Sequence, residues 1–226
     1  MNNVYTRIFT ALLLCVCFYV SYLVPLFFDI FLTIIIFFIA FYEWPLLAKN
    51  KAFMWLIFFI YPVFPVIRLF ILNKSLHRDH MFLLCILVGA FDTGSYIFGK
   101  LFGYRKLLPS ISPGKTWEGL AGGLISIIAT HQVYLLVTGK IMYGDSFYFS
   151  IGIVLYIAVT ALVGDLFVSF FKRTVSVKDT GAILPGHGGF LDRFDGLFFT
   201  LLPWYLALLL PIISWFVVSK KQQPSI

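Results

Sequence analysis

Long apolar runs separated by short polar segments set the pattern of this chain. The first run extends from Ile8 to Val24, and a second follows Pro25 and reaches Tyr42. Beyond the polar segment Glu43 to Lys51, a third run covers Ala52 to Leu72 and contains Pro62 and Pro65. Asn73 to His80 is again polar. Four further runs cover Met81 to about Gly99, Gly119 to Val137, Phe147 to Phe171 and Leu197 to Val218. Each is close to the ~20 residues that a helix needs to cross a bilayer core. The pattern predicts an all-α, polytopic integral membrane protein with about seven transmembrane helices. It forms a single transmembrane domain over 1–226, whose first run is a retained span because no cleavage pattern follows it. Pro203 and Pro211 could divide the last run.

Composition removes the soluble alternatives. The 226 residues are 61% hydrophobic and 12% charged, with mean hydropathy +0.96; soluble domains carry about a quarter charged residues. A disordered chain and a disulfide scaffold are excluded too, since Cys15, Cys17 and Cys85 all lie within apolar runs, where packing is their expected role. The net charge of +7 places cations between the runs rather than on a soluble face, so no nucleic acid is expected as a partner. Two connections hold most of them: Gly99 to Glu118, and Lys172 to Gly196. The positive-inside rule puts both on the cytoplasmic side, although Lys74, Arg78, Lys220 and Lys221 then fall outside. Gly119-xxx-Gly123 and Gly122-xxx-Ser126 predict close helix packing.

Charges within apolar runs are costly and therefore informative. Asp92 lies inside the fourth run and Asp165 near the end of the sixth, each with glycine nearby. Asp29 is expected to have a structural role. Ser169 and Lys172, four and seven residues after Asp165, share its helical stripe. That stripe reads either as the wall of a polar, cytoplasm-facing cavity or as a buried ion-paired line. The connection that follows concentrates Lys172, Arg173, Lys178, Asp179, His187, Asp192, Arg193 and Asp195 around Pro185 and several glycines. Asp165, Asp192 and Asp195 offer the hard oxygen ligands that Mg²⁺ takes, while the cations suit phosphate oxygens. This is the chemistry of phosphoryl groups at a membrane surface.

The other cationic connection reads Ser112-Pro-Gly-Lys115-Thr-Trp-Glu-Gly. Its Gly114-Lys115-Thr116 does not read as a P-loop, because Pro109 occupies the place of the first glycine and no strand is predicted before it. Ser112 as cap and Pro113 in the first turn predict a helix N-terminus here, with Lys115 beside it as an anion site.

The run from Ser169 through Phe171-Lys172-Arg173, Lys178-Asp179, Gly181, Leu184-Pro185, His187-Gly188-Gly189-Phe190 and Asp192-Arg193-Phe194-Asp195 resembles the signature of the phosphatidate cytidylyltransferases, the CDP-diacylglycerol synthases. Asp92-Thr-Gly-Ser and the Ser112 to Gly119 stretch resemble motifs of the same family. The resemblance covers residues 81–218, the catalytic region; residues 1–80 carry no motif. It implies an enzyme of phospholipid biosynthesis in a bacterial inner membrane, active on the cytoplasmic side and working as a homodimer. CTP and phosphatidate would become CDP-diacylglycerol and pyrophosphate, with Mg²⁺ as cofactor and a second cation as an alternative addition. Asp165, Asp192 and Asp195 would hold the metal, unless Asp192 instead fixes Arg193. Lys172, Arg173, Lys178 and Arg193 would bind phosphates of CTP or of the lipid. His187, Gly188 and Gly189 would lie against the nucleotide, with Asp92, Ser112 and Lys115 on the opposite wall; Ser169 and Asp179 complete the substrate-binding set. His187 could instead only brace its loop, and Asp179 only pair with Lys178. Two other functions fit the charges less well. One is the same transfer to an isoprenoid or ether-lipid phosphate, and the other is Mg²⁺ transport, against which the four loop cations stand.

Overall fold

The computed structural model describes residues 2–49, 52–139, 147–184 and 188–202. Helix α1 (Asn2–Leu23) turns at Val24 into α2 (Pro25–Phe38), where Pro25 occupies the first turn, a position that needs no N–H donor. A π-helical turn over Ile39–Glu43 leads into α3 (Trp44–Ala48). The next crossing repeats the design: α4 (Ala52–Phe58), a π-turn over Phe59–Val63, and α5 (Phe64–Asn73). Pro62 lies inside that π-turn and Pro65 at the start of α5. A proline removes a backbone donor and clashes with the preceding turn, and the wider π-turn absorbs both without ending the helix. The third run is thus one continuous rod rather than a broken one.

Helix α6 (Arg78–Phe102) follows, then a hairpin of β1 (Lys106–Leu108) and β2 (Ser112–Thr116), then α7 (Trp117–Thr138), α8 (Phe147–Thr174) and α9 over residues 191–202. Among the described residues, five stretches are long and apolar enough to cross a membrane: Pro25–Ala48, Ala52–Asn73, Arg78–Phe102, Trp117–Thr138 and Tyr148–Thr174. The all-α, polytopic reading therefore holds. The predicted last span, Leu197 to Val218, lies mainly outside the described residues.

Helices α6 and α7 pack closely, as the small residues predict. A Cβ added at Gly122 would collide with the Phe98 ring, and one at Gly123 with Ser95 Oγ and the Phe91 ring. The core continues through Leu32, Ile35 and Ile39, which are packed with Leu69, Leu87 and Phe91. His131 is buried and shares a 2.6 Å hydrogen bond with Ser150, which ties α7 to α8.

One end of the bundle is closed by a polar network. Asn73 Nδ2 donates to Pro25 O (2.9 Å) and to Asp29 Oδ1 (3.0 Å), while Arg78 donates to Asn73 Oδ1 (2.9 Å) and Ser21 O (2.8 Å). The Arg78 guanidinium also lies over the Tyr22 and Phe82 rings. Arg78, a cation out of place by the positive-inside count, is thus a packing element, and Asp29 has its expected structural role.

Candidate active site

At the opposite end, the two cationic connections meet: Arg173 Nε donates to Ile111 O at the tip of the hairpin (3.1 Å). The contact puts both connections at the same end of the bundle, as their charge suggests. The hairpin corrects one prediction. Ser112 opens strand β2 instead of capping a helix, and the cap of α7 is Thr116, whose hydroxyl accepts from Gly119 N (3.1 Å). The physical reason is the pairing of β2 with β1, extended by Trp117 N donating to Arg105 O (3.0 Å). Pro113 has no N–H to offer a ladder and tolerates such a two-stranded edge. Glu118, in the first turn of α7, accepts from the amides of Tyr104 and Arg105 (3.1 and 3.2 Å). Lys115 consequently projects from a strand, not from a helix N-terminus, and its ammonium pairs with Asp165.

This pair stands at the edge of a cavity of about 380 Å³ lined by Asp92 of α6, Ser112 and Lys115 of β2, Asp165 of α8, and Asp192, Arg193 and Asp195 of α9. Residues as far apart in the chain as Asp92 and Asp195 thus face one space. A second cavity of about 740 Å³ adjoins it, sharing Asp92, Tyr96 and Arg193 and lined further by Lys178, Asp179 and Gly188. Asp195 is buried and Asp165 half-buried, whereas Asp92, Lys178 and Arg193 are open to the cavities. Ser169 Oγ donates to Asp165 Oδ1 (3.3 Å), so the lower part of the predicted stripe is real.

The upper part of the stripe turns elsewhere. Lys172 Nζ donates to Asp192 Oδ1 at 2.8 Å, with side chains only 10% and 6% exposed. Asp192 Oδ2 accepts from Thr180 N (2.8 Å), Thr180 Oγ1 (3.0 Å) and Gly189 N (3.2 Å). Asp192 therefore organises the loop and holds Lys172, with four donors on its two oxygens. Arg173 lines neither cavity; besides the hairpin it donates to Val177 O (3.2 Å) and braces the end of α8. The loop closes through mutual backbone bonds of Leu184 and Gly188 (2.9 and 3.1 Å), and Gly188 takes a φ of +86°, open to glycine without strain. His187 lies outside the described residues.

Two residues escaped the sequence reading. Glu43 is fully buried, and its carboxylate accepts from Phe190 N and Leu191 N (both 2.7 Å), with Thr180 Oγ1 3.2 Å away. Tyr61, also buried, donates to Asp195 O (2.9 Å). One signal was available, because the chain has only two glutamates and Glu43 follows directly on an apolar run.

Among the described residues, no three His, Cys, Asp or Glu side chains gather into a ready-made metal cage. Carboxylates on three helices around one space are a different donor set. They suit Mg²⁺, which is usually held by one or two carboxylates, waters and substrate phosphates.

An apolar helical bundle with a cavity of carboxylates, lysine and arginine at one end defines a polytopic membrane protein built to handle an anionic ligand. Residues 3–210 match the cytidylyltransferase family, and the chain belongs to that family. It is 37% identical over 210 residues to a phosphatidate cytidylyltransferase of Rickettsia bellii, a match that covers 88% of each chain. Similar proteins of the same name occur in Bacillus subtilis (40% over 131 residues, 58% of this chain and 48% of that one) and in Haemophilus influenzae (45% over 114 residues, 50% and 39%).

Proposed function

We propose that this protein transfers the cytidylyl group of CTP to phosphatidate, giving CDP-diacylglycerol and pyrophosphate. The observation that carries the reading is the meeting of two cavities at Asp92 and Arg193, with acidic residues on one side and Lys178 on the other. The family and the names of the relatives support the same chemistry. In the reaction, an oxygen of the lipid phosphate forms a bond to the α-phosphorus of CTP. The bond from that phosphorus to the bridging oxygen breaks, and pyrophosphate leaves with the electron pair. A phosphate monoester is already anionic near neutral pH, so positioning and charge neutralisation carry most of the catalysis.

Arg193 and Lys178 would bind phosphate oxygens, Arg193 by a fork of parallel N–H donors and Lys178 as a point charge. Lys115, tied to Asp165 by one N–H, keeps two further donors for an anion in the same cavity. Lys172 acts at one remove, because it fixes Asp192 and so the loop that carries Lys178 and Asp179. Asp165 and Asp195 would hold Mg²⁺, with Asp92 facing them; Asp192 is left out because four donors, from Lys172, Thr180 and Gly189, converge on its two oxygens. Bound there, Mg²⁺ would supply positive charge to phosphate oxygens as negative charge builds on them. By the positive-inside rule this end of the bundle would face the cytoplasm, and the bacterial relatives support a bacterial inner membrane as its location.

The test is a Mg²⁺-dependent assay of detergent-purified protein with labelled CTP, offering phosphatidate or a polyprenyl phosphate. Label extracted into lipid with phosphatidate is the expected result. Label with the polyprenyl phosphate alone would move the substrate to another lipid class, and no label with either would refute the reading.

A further inference from the structure

We propose that Glu43 and Tyr61 are positioning residues for the transfer step: from residues 1–80, which carry no motif, they hold the turn over residues 190–196 so that Arg193 and Asp195 face the cavity. The proposal rests on the cytidylyl-transfer reading above.

The two anchors grip opposite ends of one short segment. Glu43 takes two amides at the start of α9, Phe190 N and Leu191 N, at 2.7 Å each. It is an N-cap supplied by another helix, and its negative charge faces the positive end of the helix dipole. Tyr61 Oη takes Asp195 O at 2.9 Å, one helical turn further on. Between those points lie Asp192, Arg193 and Asp195, all lining the smaller cavity. A shift of this segment by one residue would rotate its side chains by about 100° and turn Asp195 away.

Both anchors stand in π-turns, Glu43 as the last residue of Ile39–Glu43 and Tyr61 in the middle of Phe59–Val63. π-turns are rare and cluster at functional sites, where one extra residue re-aims the side chains that follow. Simple packing also fails to account for the chemistry. A fully buried carboxylate is costly, and a helix start can be capped by a local serine or aspartate. Glu43 further reaches the other side of the loop, since Thr180 Oγ1 lies 3.2 Å from Glu43 Oε2 and 3.0 Å from Asp192 Oδ2. A line of contacts Glu43–Thr180–Asp192–Lys172 therefore joins the π-turn to α8.

The experiment uses the full chain in detergent, with phosphatidate saturating and CTP varied. Turnover is expressed per folded molecule, from the monodisperse fraction on gel filtration. Glu43→Gln puts an amide donor against an amide donor, while Tyr61→Phe deletes one hydroxyl and keeps the ring against Phe167. We expect kcat to fall about tenfold in Tyr61→Phe and about a hundredfold in Glu43→Gln, with KM for CTP within twofold of wild type, the pattern of an interaction felt in the transition state. Faster amide exchange should be confined to residues 180–196 in both. A purely structural role would lower the yield of folded protein and leave kcat per folded molecule unchanged, and that result in Tyr61→Phe overturns the proposal. Should the wild type transfer label to no lipid phosphate, the functional reading fails by itself. Exchange then decides the positioning role: a rise confined to 180–196 supports it, and an unchanged pattern refutes it.

Discussion

At the end of the bundle formed by Ser21, Pro25, Asn73 and Arg78, the charged groups are answered by partners from neighbouring helices. Arg78 meets Asn73 and a carbonyl, and Asp29 meets Asn73 and, at 3.7 Å, Lys74. At the other end, Asp92, Asp165 and Asp195 face a shared space with Lys115 and Arg193 at its margin. Both ends hold carboxylates and cations in an apolar protein. The first arrangement is closed, and its ions stabilise helix contacts. The second leaves an opening between its ions, and an opening lined by charge is what a phosphate ligand and its counter-ion require. Whether a charged residue belongs to a site is thus read less from its presence than from the space kept around it.

The contrast predicts opposite consequences for removing charge. Asp195→Asn changes one oxygen to an amide and still offers an acceptor to Gly196 N, so the protein should fold and elute from gel filtration as the wild type does. Its transfer activity should fall by about 10³-fold, the scale for losing one strong electrostatic contact in a phosphoryl-type transition state. Turnover near wild type would remove Asp195 from the chemistry. Lys172→Met strands Asp192 in a buried site, at a cost of about 3–5 kcal/mol, read as a lowered midpoint in thermal scanning. Adding Asp192→Asn should recover part of that loss, since no uncompensated charge then remains. A lowered midpoint that the second change fails to raise would mean that packing, not charge, set the cost.

The same contrast explains what could be read in the sequence. Asp92 and Asp165 were legible because an ion inside an apolar run needs a reason, and the cationic loop because it crowds charge into a chain that avoids it. The apolar runs gave the crossings for a similar reason: length and hydropathy are local properties. Glu43 was hidden because it stands at the end of such a run, where an interfacial glutamate is ordinary; only the fold shows it closing on Phe190 and Leu191, almost 150 residues away. Tyr61 gave no signal at all, as one aromatic in a run full of them. Ser112-Pro113 misled because the same pair suits a helix start and an edge strand, and the pairing with β1 that decides between them is a tertiary fact. Asp192 had the right type and spacing for a metal ligand, yet Lys172, Thr180 and Gly189 converge on it through loop geometry that spacing does not encode.

A milder effect should follow from Arg78→Met at the closed end. The change removes two hydrogen bonds from a charged donor and the ring contacts with Tyr22 and Phe82, but keeps most of the apolar stem. Loss of a charged hydrogen bond is worth about 1.5–3 kcal/mol, so the thermal midpoint should drop. Transfer per folded molecule should stay within twofold of wild type, because Ser21, Pro25, Asp29, Asn73 and Arg78 line neither cavity. A large fall in kcat with unchanged stability would show that the two ends communicate, and would undo the separation drawn between them.

The smallest effect is expected from Lys74→Ala, which isolates the contrast in one pair of residues. Lys74 and Lys115 each pair with an aspartate. Lys74 is 71% exposed and stands 3.7 Å from Asp29, whereas the Lys115 side chain is 22% exposed and lines the cavity. An exposed pair at that separation gains little from Coulomb attraction in water, and ordering the lysine stem offsets most of it. Asp29 also keeps its hydrogen bond from Asn73 Nδ2 when Lys74 is removed, so no carboxylate is stranded. Lys74→Ala should therefore lower stability by less than about 0.5 kcal/mol and leave transfer unchanged. The parallel change Lys115→Ala removes a cation facing the proposed phosphate site, and should cost about 10²-fold in kcat/KM with little change in midpoint. Equal effects of the two substitutions on transfer would mean that overall surface charge, rather than the placement of Lys115 on the hairpin, governs activity.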